Sequence, residues 1–358
     1  MKIRKVNPIF VLINDIHIDK QKGELAKSIF TQVLNIAVEN DIYNIVIGGD
    51  VFTNRSGQPL DCLSTFQEIV GMCEKANKIL HVIPGNHDKT DPDDERSYID
   101  VYDGSSNLRL HRSGESCIFG GCPVAFVPYF GEEKWKKEFA KAQAITEDQY
   151  IDGDVDRDAP AFLITHVAVN GVKNNDGSEV NCSVGSDLFG LYSKVLVGHY
   201  HNASKVGKNV YYTGSCYQNN FGENITDKGC TIAYDDGTLN FIPLKFPKYI
   251  KHVIDVNDSE TLRNLIEKYD GETYDHIRFV FQGKKVDACK VNLADIQARG
   301  FQCEFESIEE KDAIDNSIDA DALNYDKRSL TKDFLKFCSE NKIKGKHMQF
   351  GLNLIKNL

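Results

Sequence analysis

A chain of 358 residues, 41% hydrophobic and 27% charged, has the make-up of a soluble protein of two or three domains with ample length for a large core. A formal net charge of −11 excludes a broad nucleic-acid-coating surface, because sequence-independent duplex binding draws on dense Lys and Arg; any nucleic-acid role has to be local, metal-mediated or shared with a partner. Ten cysteines without a C-x-x-C pair point to reduced, buried thiols in a cytoplasmic protein rather than to a disulfide framework or a zinc knuckle.

The apolar run at residues 9–13 is too short for a secretory signal and is predicted to be a buried first strand. No segment approaches the apolar length of a membrane span. A helix follows at 25–38, with Leu25, Ile29, Val33 and Ile36 on one face. Next come a strand at 45–47, a helix at 60–76 and a strand at 79–83, then strands at 162–164 and 195–197. Strands alternating with helices imply crossover units and a sheet covered on both faces.

Each of these five strands finishes on a candidate metal donor. The segments are Asp15-Ile16-His17, Gly49-Asp50, Gly85-Asn86-His87-Asp88, His166, and Gly198-His199 with His201. Asp15 and His17 are two residues apart, so an extended segment points both to one side. His199 and His201 repeat that spacing. Gly48 and Gly49 let the backbone approach closely before Asp50, whose two carboxylate oxygens can bridge two ions, and Gly85 frees the turn that presents Asn86. Carboxylate, amide oxygen and imidazole together suit Mn, Fe or Zn, and Mg less well. Two such ions about 3.5–4 Å apart can clamp the attacking and leaving oxygens of a phosphoryl displacement. Each element alone is commonplace; their joint order at strand ends gives the signal. His81, His111, His252, His276 and His347 lie off the pattern and are expected to be structural or exposed.

With these residues, the chain resembles the calcineurin-like metallophosphoesterases, whose blocks stand here as NDIHID, GGDVF, GNHD, THV and GHYH. The resemblance implies an α/β fold, a metallophosphoesterase sheet sandwich flanked by helices. It implies that Asp15, His17, Asp50 and His201 hold one metal and that Asp50, Asn86, His166 and His199 hold the other, with Asp50 bridging. His87 would then be the catalytic group that is not a ligand, stabilising the transition state or protonating the leaving oxygen, and a bridging water the nucleophile. Asp88 would either orient His87 or cap the turn. Lys20, Arg55, Lys89 and Arg96 are candidate phosphate contacts.

The flanks narrow the resemblance. GGDVFTNRSGQPLDCLSTF, VAFVPYF and the stretch at 210–247, with its Gly-Ser, Phe-Gly-Glu and Lys-Gly, are similar to SbcD-type nucleases of double-strand-break repair and recombination complexes. Asn14 and Thr213 depart from residues common there. The narrower resemblance implies Mn-dependent DNA exonuclease and endonuclease action on duplex ends and single strands. It also implies a partner, an SbcC-type coiled-coil ATPase, and a homodimer formed through segments such as 60–76 and 93–102. Alternatives from other classes are a phosphodiesterase or protein phosphatase acting on a non-DNA substrate, and a non-catalytic scaffold, which would be expected to have lost donors or His87.

Residues 1–247 are therefore expected to form the nuclease domain. Strands at 250–256, 276–281 and 301–305, with helices at 259–269 and 291–297, suggest a small α/β domain at 248–305, which the resemblance implies is a capping domain that positions DNA. Residues 306–328, acidic and poor in large apolar residues, suggest an exposed linker or a surface loop of that domain. Residues 329–358 form two short amphipathic stretches, 329–341 and 346–358. From residue 326 to the end there are eight Lys or Arg against three Asp or Glu. Helices so short need something to dock on, either a partner or the chain's own surface.

Overall fold

The computed structural model describes residues 5–174, 178–269, 275–284, 287, 290–307, 327–340, 345, 348–349, 351–352 and 355. The acidic segment at 308–326, His347 and most of the second amphipathic stretch lie outside them.

Two six-stranded sheets pack face to face. In the first, β1 (Pro8–Ile13), β2 (Asn44–Ile47), β3 (Ile79–Val82) and β4 (Leu108–Leu110) run parallel, and β11 (Gly229–Tyr234) and β12 (Leu239–Pro243) continue beyond β1 antiparallel, giving the order β12-β11-β1-β2-β3-β4. The second has the order β5-β6-β7-β8-β10-β9, with β5 (Glu115–Phe119), β6 (Cys122–Val127), β7 (Phe162–Thr165), β8 (Lys194–Val197), β9 (Ser204–Val206) and β10 (Val210–Tyr212). Its strands β6, β7, β8 and β10 are parallel.

The strands read as unbroken apolar runs because both faces are buried. On β1, Phe10 and Leu12 meet Phe126, Phe162, Ile164 and Leu196 between the sheets. Val11 and Ile13 point the other way, into a core with Ile29, Phe30 and Val33 of α1 (Gly23–Glu39) and Phe66 and Ile69 of α2 (Leu60–Lys75). The outer face of the second sheet, through Leu163, Val195 and Val197, packs on Trp135, Phe139 and Ala142 of α3 (Glu132–Ile151). The result is a helix–sheet–sheet–helix stack, the α/β sandwich expected from the sequence. The strands predicted at 9–13, 45–47, 79–83, 162–164 and 195–197 and both early helices are present within a few residues of their expected limits. The sequence pattern did not place α3.

Residues 249–307 form a three-stranded sheet of order β13-β14-β15, from β13 (Tyr249–Asp255), β14 (His276–Gly283) and β15 (Gln302–Ser307). The helices α4 (Ser259–Tyr269) and α5 (Leu293–Ala298) cover its core of Ile254, Ile277, Phe279, Phe281, Ile296 and Phe301. Its elements follow the predicted order. The side chain of Gln218 ties β13 to the body, accepting from Tyr249 N–H (2.8 Å) and donating to Tyr249 O (3.0 Å).

The chain divides into two compact units, Met1–Gly283 with Asp287–Glu306, and Lys284–Val286 with Ser307–Leu358. In the second unit, α6 (Lys327–Glu340) buries Cys338, while Leu335 is 42% exposed. Among the described residues no helix is long and apolar enough to cross a membrane.

Candidate metal centre

The loops after β1, β2, β3 and β8 open onto one cleft of about 370 Å³, lined by His17, Asp50, Asn86, His87, His199 and His201 together with Lys22, Thr53, Arg55 and Asn219. Asp15 and His166, after β1 and β7, are fully buried and do not line it. The backbone reaches it through left-handed residues. Asp15 (φ 54°), His17 (φ 49°), Asp50 (φ 51°) and His199 (φ 87°) are four of the six non-glycine residues with positive φ among the described residues. Asp and His tolerate that region better than most side chains, and such residues persist where the surrounding fold holds them. This corrects the extended-segment expectation: Asp15 and His17 converge because the chain turns at each of them. Bonds from Asp15 N–H to Gly49 O (3.1 Å) and from His17 N–H to Asp50 O (3.0 Å) lash the first loop to the second. Gly49, at φ 103°, has no room for a side chain, since a Cβ there would run into the His166 ring.

The donors fall into two groups, Asp15 with His17 and His201, and Asp50 with His166 and His199, each with ligand atoms within 4.8 Å of one another. Asp50 faces both: its Oδ2 lies 3.6 Å from His17 Nε2 and 3.4 Å from His166 Nε2. Asn86 Oδ1 joins the second group, 2.8 Å from His199 Nδ1 and 3.0 Å from His166 Nε2. His87 stands outside both, its Nδ1 2.5 Å from Thr53 O and its Nε2 3.2 Å from an Arg55 nitrogen.

The chemistry of these atoms fits cations. His17 Nδ1 faces Phe52 O (3.2 Å) and His201 Nδ1 faces Glu223 Oε1 (2.8 Å); both partners only accept, so each Nδ1 carries a proton. The two Nε2 atoms then face each other at 3.0 Å. His166 repeats the arrangement, with Nδ1 on Gly48 O (2.9 Å) and Nε2 turned to Asn86 Oδ1 and Asp50 Oδ2. Lone pairs that converge in this way repel unless a proton or a cation lies between them. Burial holds His17 and His199 down to about 3, so both are neutral and able to ligate. For His166, burial works to lower the pKa, yet the Asp50 carboxylate beside it brings it up to about 9, so without a cation a proton stands in its place. Burial alone would raise Asp50, but the neighbouring imidazoles hold it well below the usual carboxylate range.

Asp88 caps the turn. Its buried carboxylate accepts from Val51 N–H (3.2 Å), Phe52 N–H (3.0 Å) and Gly85 N–H (2.8 Å), while Thr53 O takes the His87 ring nitrogen. Of the four cations expected near phosphate, only Arg55 lines the cleft. Lys89 is buried on Tyr129 O (2.8 Å) and over the Phe130 ring, Arg96 pairs with Asp94, and Lys20 lines a separate hollow. Sequence reasoning missed Lys22 and Asn219 in the cleft and gave no role to Glu223, although the Phe-Gly-Glu that contains it stood out in the pattern.

Two carboxylate–histidine groups with Asp50 Oδ2 near both, at the strand ends of two facing sheets, have the make-up of a metal-dependent hydrolase. The chain belongs to the calcineurin-like phosphoesterase family, whose sequence model matches residues 9–203 and so spans every donor from Asp15 to His201. It is similar to the SbcD component of the SbcCD nuclease of Staphylococcus saprophyticus, at 24% identity over 254 residues that cover 65% of this chain and 66% of that protein. The chain thus spans about two thirds of that relative's length. One solved crystal structure aligns at 12% identity over 67% of this chain and 100% of its own, with a TM-score of 0.42. A cold-active protein-tyrosine phosphatase of a psychrophilic Shewanella aligns at 13% over 66% of this chain and 80% of its own, with a TM-score of 0.31. Neither similarity is close enough to carry an argument.

Proposed function

We propose that this chain is a two-metal DNA nuclease, the exonuclease and endonuclease component of a double-strand-break repair or recombination complex. The observation that carries the phosphoester chemistry is Asp50 Oδ2 facing both histidine groups, with His87 beside the cleft but in neither group. Asp15, His17, Asp50 and His201 hold one ion, and Asp50, Asn86, His166 and His199 the other. When bound, two divalent cations, Mn before Mg, Fe or Zn, supply Lewis acidity that acidifies water and neutralises phosphoryl oxygens. His87 is fixed through Nδ1–H by Thr53 O, and its Nε2 accepts from Arg55; once turned from Arg55 to substrate and protonated, that Nε2 would protonate the leaving oxygen or hydrogen-bond a phosphoryl oxygen. Arg55 and Lys22 face the same cleft and are suited to a phosphate backbone.

DNA as substrate, and an SbcC-type coiled-coil ATPase as partner, rest on the similarity to the staphylococcal SbcD nuclease and on the flanking motifs. In this reading 1–247 is the nuclease domain, 248–305 caps it and positions DNA, 306–328 links, and 329–358 docks on the ATPase in the cytoplasm. Exposed Leu60 and Val101 support a homodimer through α2 and the 3-10 turn Tyr98–Tyr102. The test is incubation of end-labelled duplex and single-stranded DNA with Mn or Mg, with His87→Ala as control. Metal-dependent cleavage lost in the variant is expected. Intact DNA alongside hydrolysis of bis(p-nitrophenyl) phosphate would overturn the nuclease reading in favour of a non-DNA phosphodiesterase.

A further inference from the structure

Glu223 and Lys228 form an ion pair with both side chains fully shielded from solvent, Nζ to Oε2 3.2 Å. Withdrawing two charges from water costs several kcal/mol per ion unless every polar atom is answered. Here the carboxylate is answered on both oxygens. Oε1 accepts from His201 Nδ1 (2.8 Å) and Asn220 Nδ2 (3.0 Å), and Oε2 accepts from Asn219 N–H (3.1 Å) besides Lys228. Lys228 in turn donates to the backbone carbonyl of His201. The pair therefore grips one histidine at its ring and at its backbone, and that histidine belongs to the Asp15–His17–His201 group. Among the described residues no carboxylate hydrogen-bonds to His17, His166 or His199 through the nitrogen turned away from the cluster: His17 and His166 use backbone carbonyls.

We propose that Glu223, clamped by Lys228, is a positioning residue that sets the affinity of the first metal position separately from the second. A carboxylate on Nδ1–H fixes the tautomer that turns the Nε2 lone pair inward, locks the ring plane and makes the nitrogen a better donor. The second position gains none of this, because its ligands do not touch Glu223. The two positions consequently load unequally, and the difference lies in residues 22 and 27 positions beyond His201 in the chain.

This inference rests on the two-metal reading, and the experiment separates the two. Titration of the whole protein with Mn2+ by calorimetry, with paramagnetic resonance of the loaded samples, is run on wild type, Glu223→Ala, His17→Ala and His166→Ala. Wild type is expected to bind two ions and give the signal of a coupled pair. Glu223→Ala is expected to keep one affinity and lose about 10–100-fold in the other, giving at limiting Mn2+ the mononuclear spectrum of His17→Ala rather than that of His166→Ala. Should Glu223→Ala not fold, Glu223→Gln combined with Lys228→Met removes the buried charges as a unit and keeps an oxygen for His201, with an intermediate loss expected at the same position. Two unchanged affinities in a folded variant, or loss at the position that His166→Ala empties, would overturn the role of Glu223. Fewer than two ions in wild type would overturn the two-metal reading itself.

Discussion

Gly198 stands where the loop after β8 crosses the loop after β2, and a single methyl group there tests how rigidly the two sheets hold the centre. A Cβ at 198 would lie 2.6 Å from Gly48 O and 2.8 Å from His166 Nδ1, against an ordinary contact of at least 3.4 Å, so something must move by about 0.8 Å. The atoms in the way are backbone and a ring packed at zero exposure, not the end of a flexible chain. Gly48 O also accepts from His166 Nδ1 at 2.9 Å, so displacing one drags the other and turns Nε2 away from Asp50. Overpacking of this kind costs about 1–3 kcal/mol, and misplacement approaching 1 Å at a reacting centre costs about 10²-fold in rate. Gly198→Ala is therefore expected to lower the urea midpoint modestly, to weaken one Mn2+ affinity, and to cut hydrolysis of a model phosphodiester about a hundredfold. A variant with wild-type rate and two wild-type affinities would show that the two strand ends slide freely, and the argument for a rigid centre would fail.

Three other outcomes follow from particular contacts. Burial between the sheets, reinforced by His111 and Arg109, lowers His81 from 6.5 to about 2. The folded state therefore keeps it neutral, so its contribution is complete above pH 6.5 and is lost by about 1.4 kcal/mol per pH unit below that. Urea unfolding of metal-free protein should show this loss between neutral pH and about pH 5 together with the parallel losses from His17 and His199, both also held neutral by burial. His81→Leu should make the slope shallower by about 1.4 kcal/mol per pH unit; equal slopes in wild type and variant would refute the assignment. Arg55 is exposed in the cleft beside His87, so Arg55→Ala should leave stability within about 0.5 kcal/mol and reduce the salt slope of DNA binding by about 1. An unaltered slope would remove Arg55 from the phosphate path. Metal removal should destabilise the fold: Mn2+ at 100 times its dissociation constant adds about 2.7 kcal/mol per site, and Asp50→Asn should abolish most of that gain because Oδ2 serves both groups. A denaturation curve insensitive to chelator would contradict the ligand assignment.

The strands that carry donors were legible because burial on both faces makes them unbroken apolar runs, and α1 and α2 because one face repeats with helical period. α3 was not: its buried Trp135, Phe139, Ala142 and Thr146 do fall at helical spacing, but two of the four are small residues and the stretch around them is dominated by Glu, Lys and Gln, which leaves a thin apolar stripe. β4, β9 and β10 have three residues each, too few for any period to register. At the site the donor types were readable, but the left-handed turns that aim them were not, because Asp and His adopt positive φ only where tertiary contacts hold it. Asp88 read equally as a turn cap or as a partner of His87, and three backbone N–H groups on its carboxylate decide for the cap. Lys228 is the plainest case. A lysine in sequence reads as surface, and only the fold reveals that its ammonium is buried on Glu223.

These turns bear on how the centre is assembled. Had Asp15 and His17 sat on an extended strand, their geometry would follow the strand's twist, and a small shift of β1 would move both. Instead each residue is held in a left-handed conformation by cross-loop bonds to Gly49 O and Asp50 O, so the first donors are tied directly to the backbone of the segment that carries Asp50. Asp50 Oδ1 in turn accepts from His87 N–H at 2.8 Å, which fixes the remaining oxygen, Oδ2, toward the two histidine groups. The left-handed residues cost on the order of 1–3 kcal/mol each, and the converging lone pairs add to that. A fold that carries these costs at the same few atoms has its ligands in place before any ion arrives. The centre should therefore gain affinity chiefly from preorganisation rather than from ordering on binding.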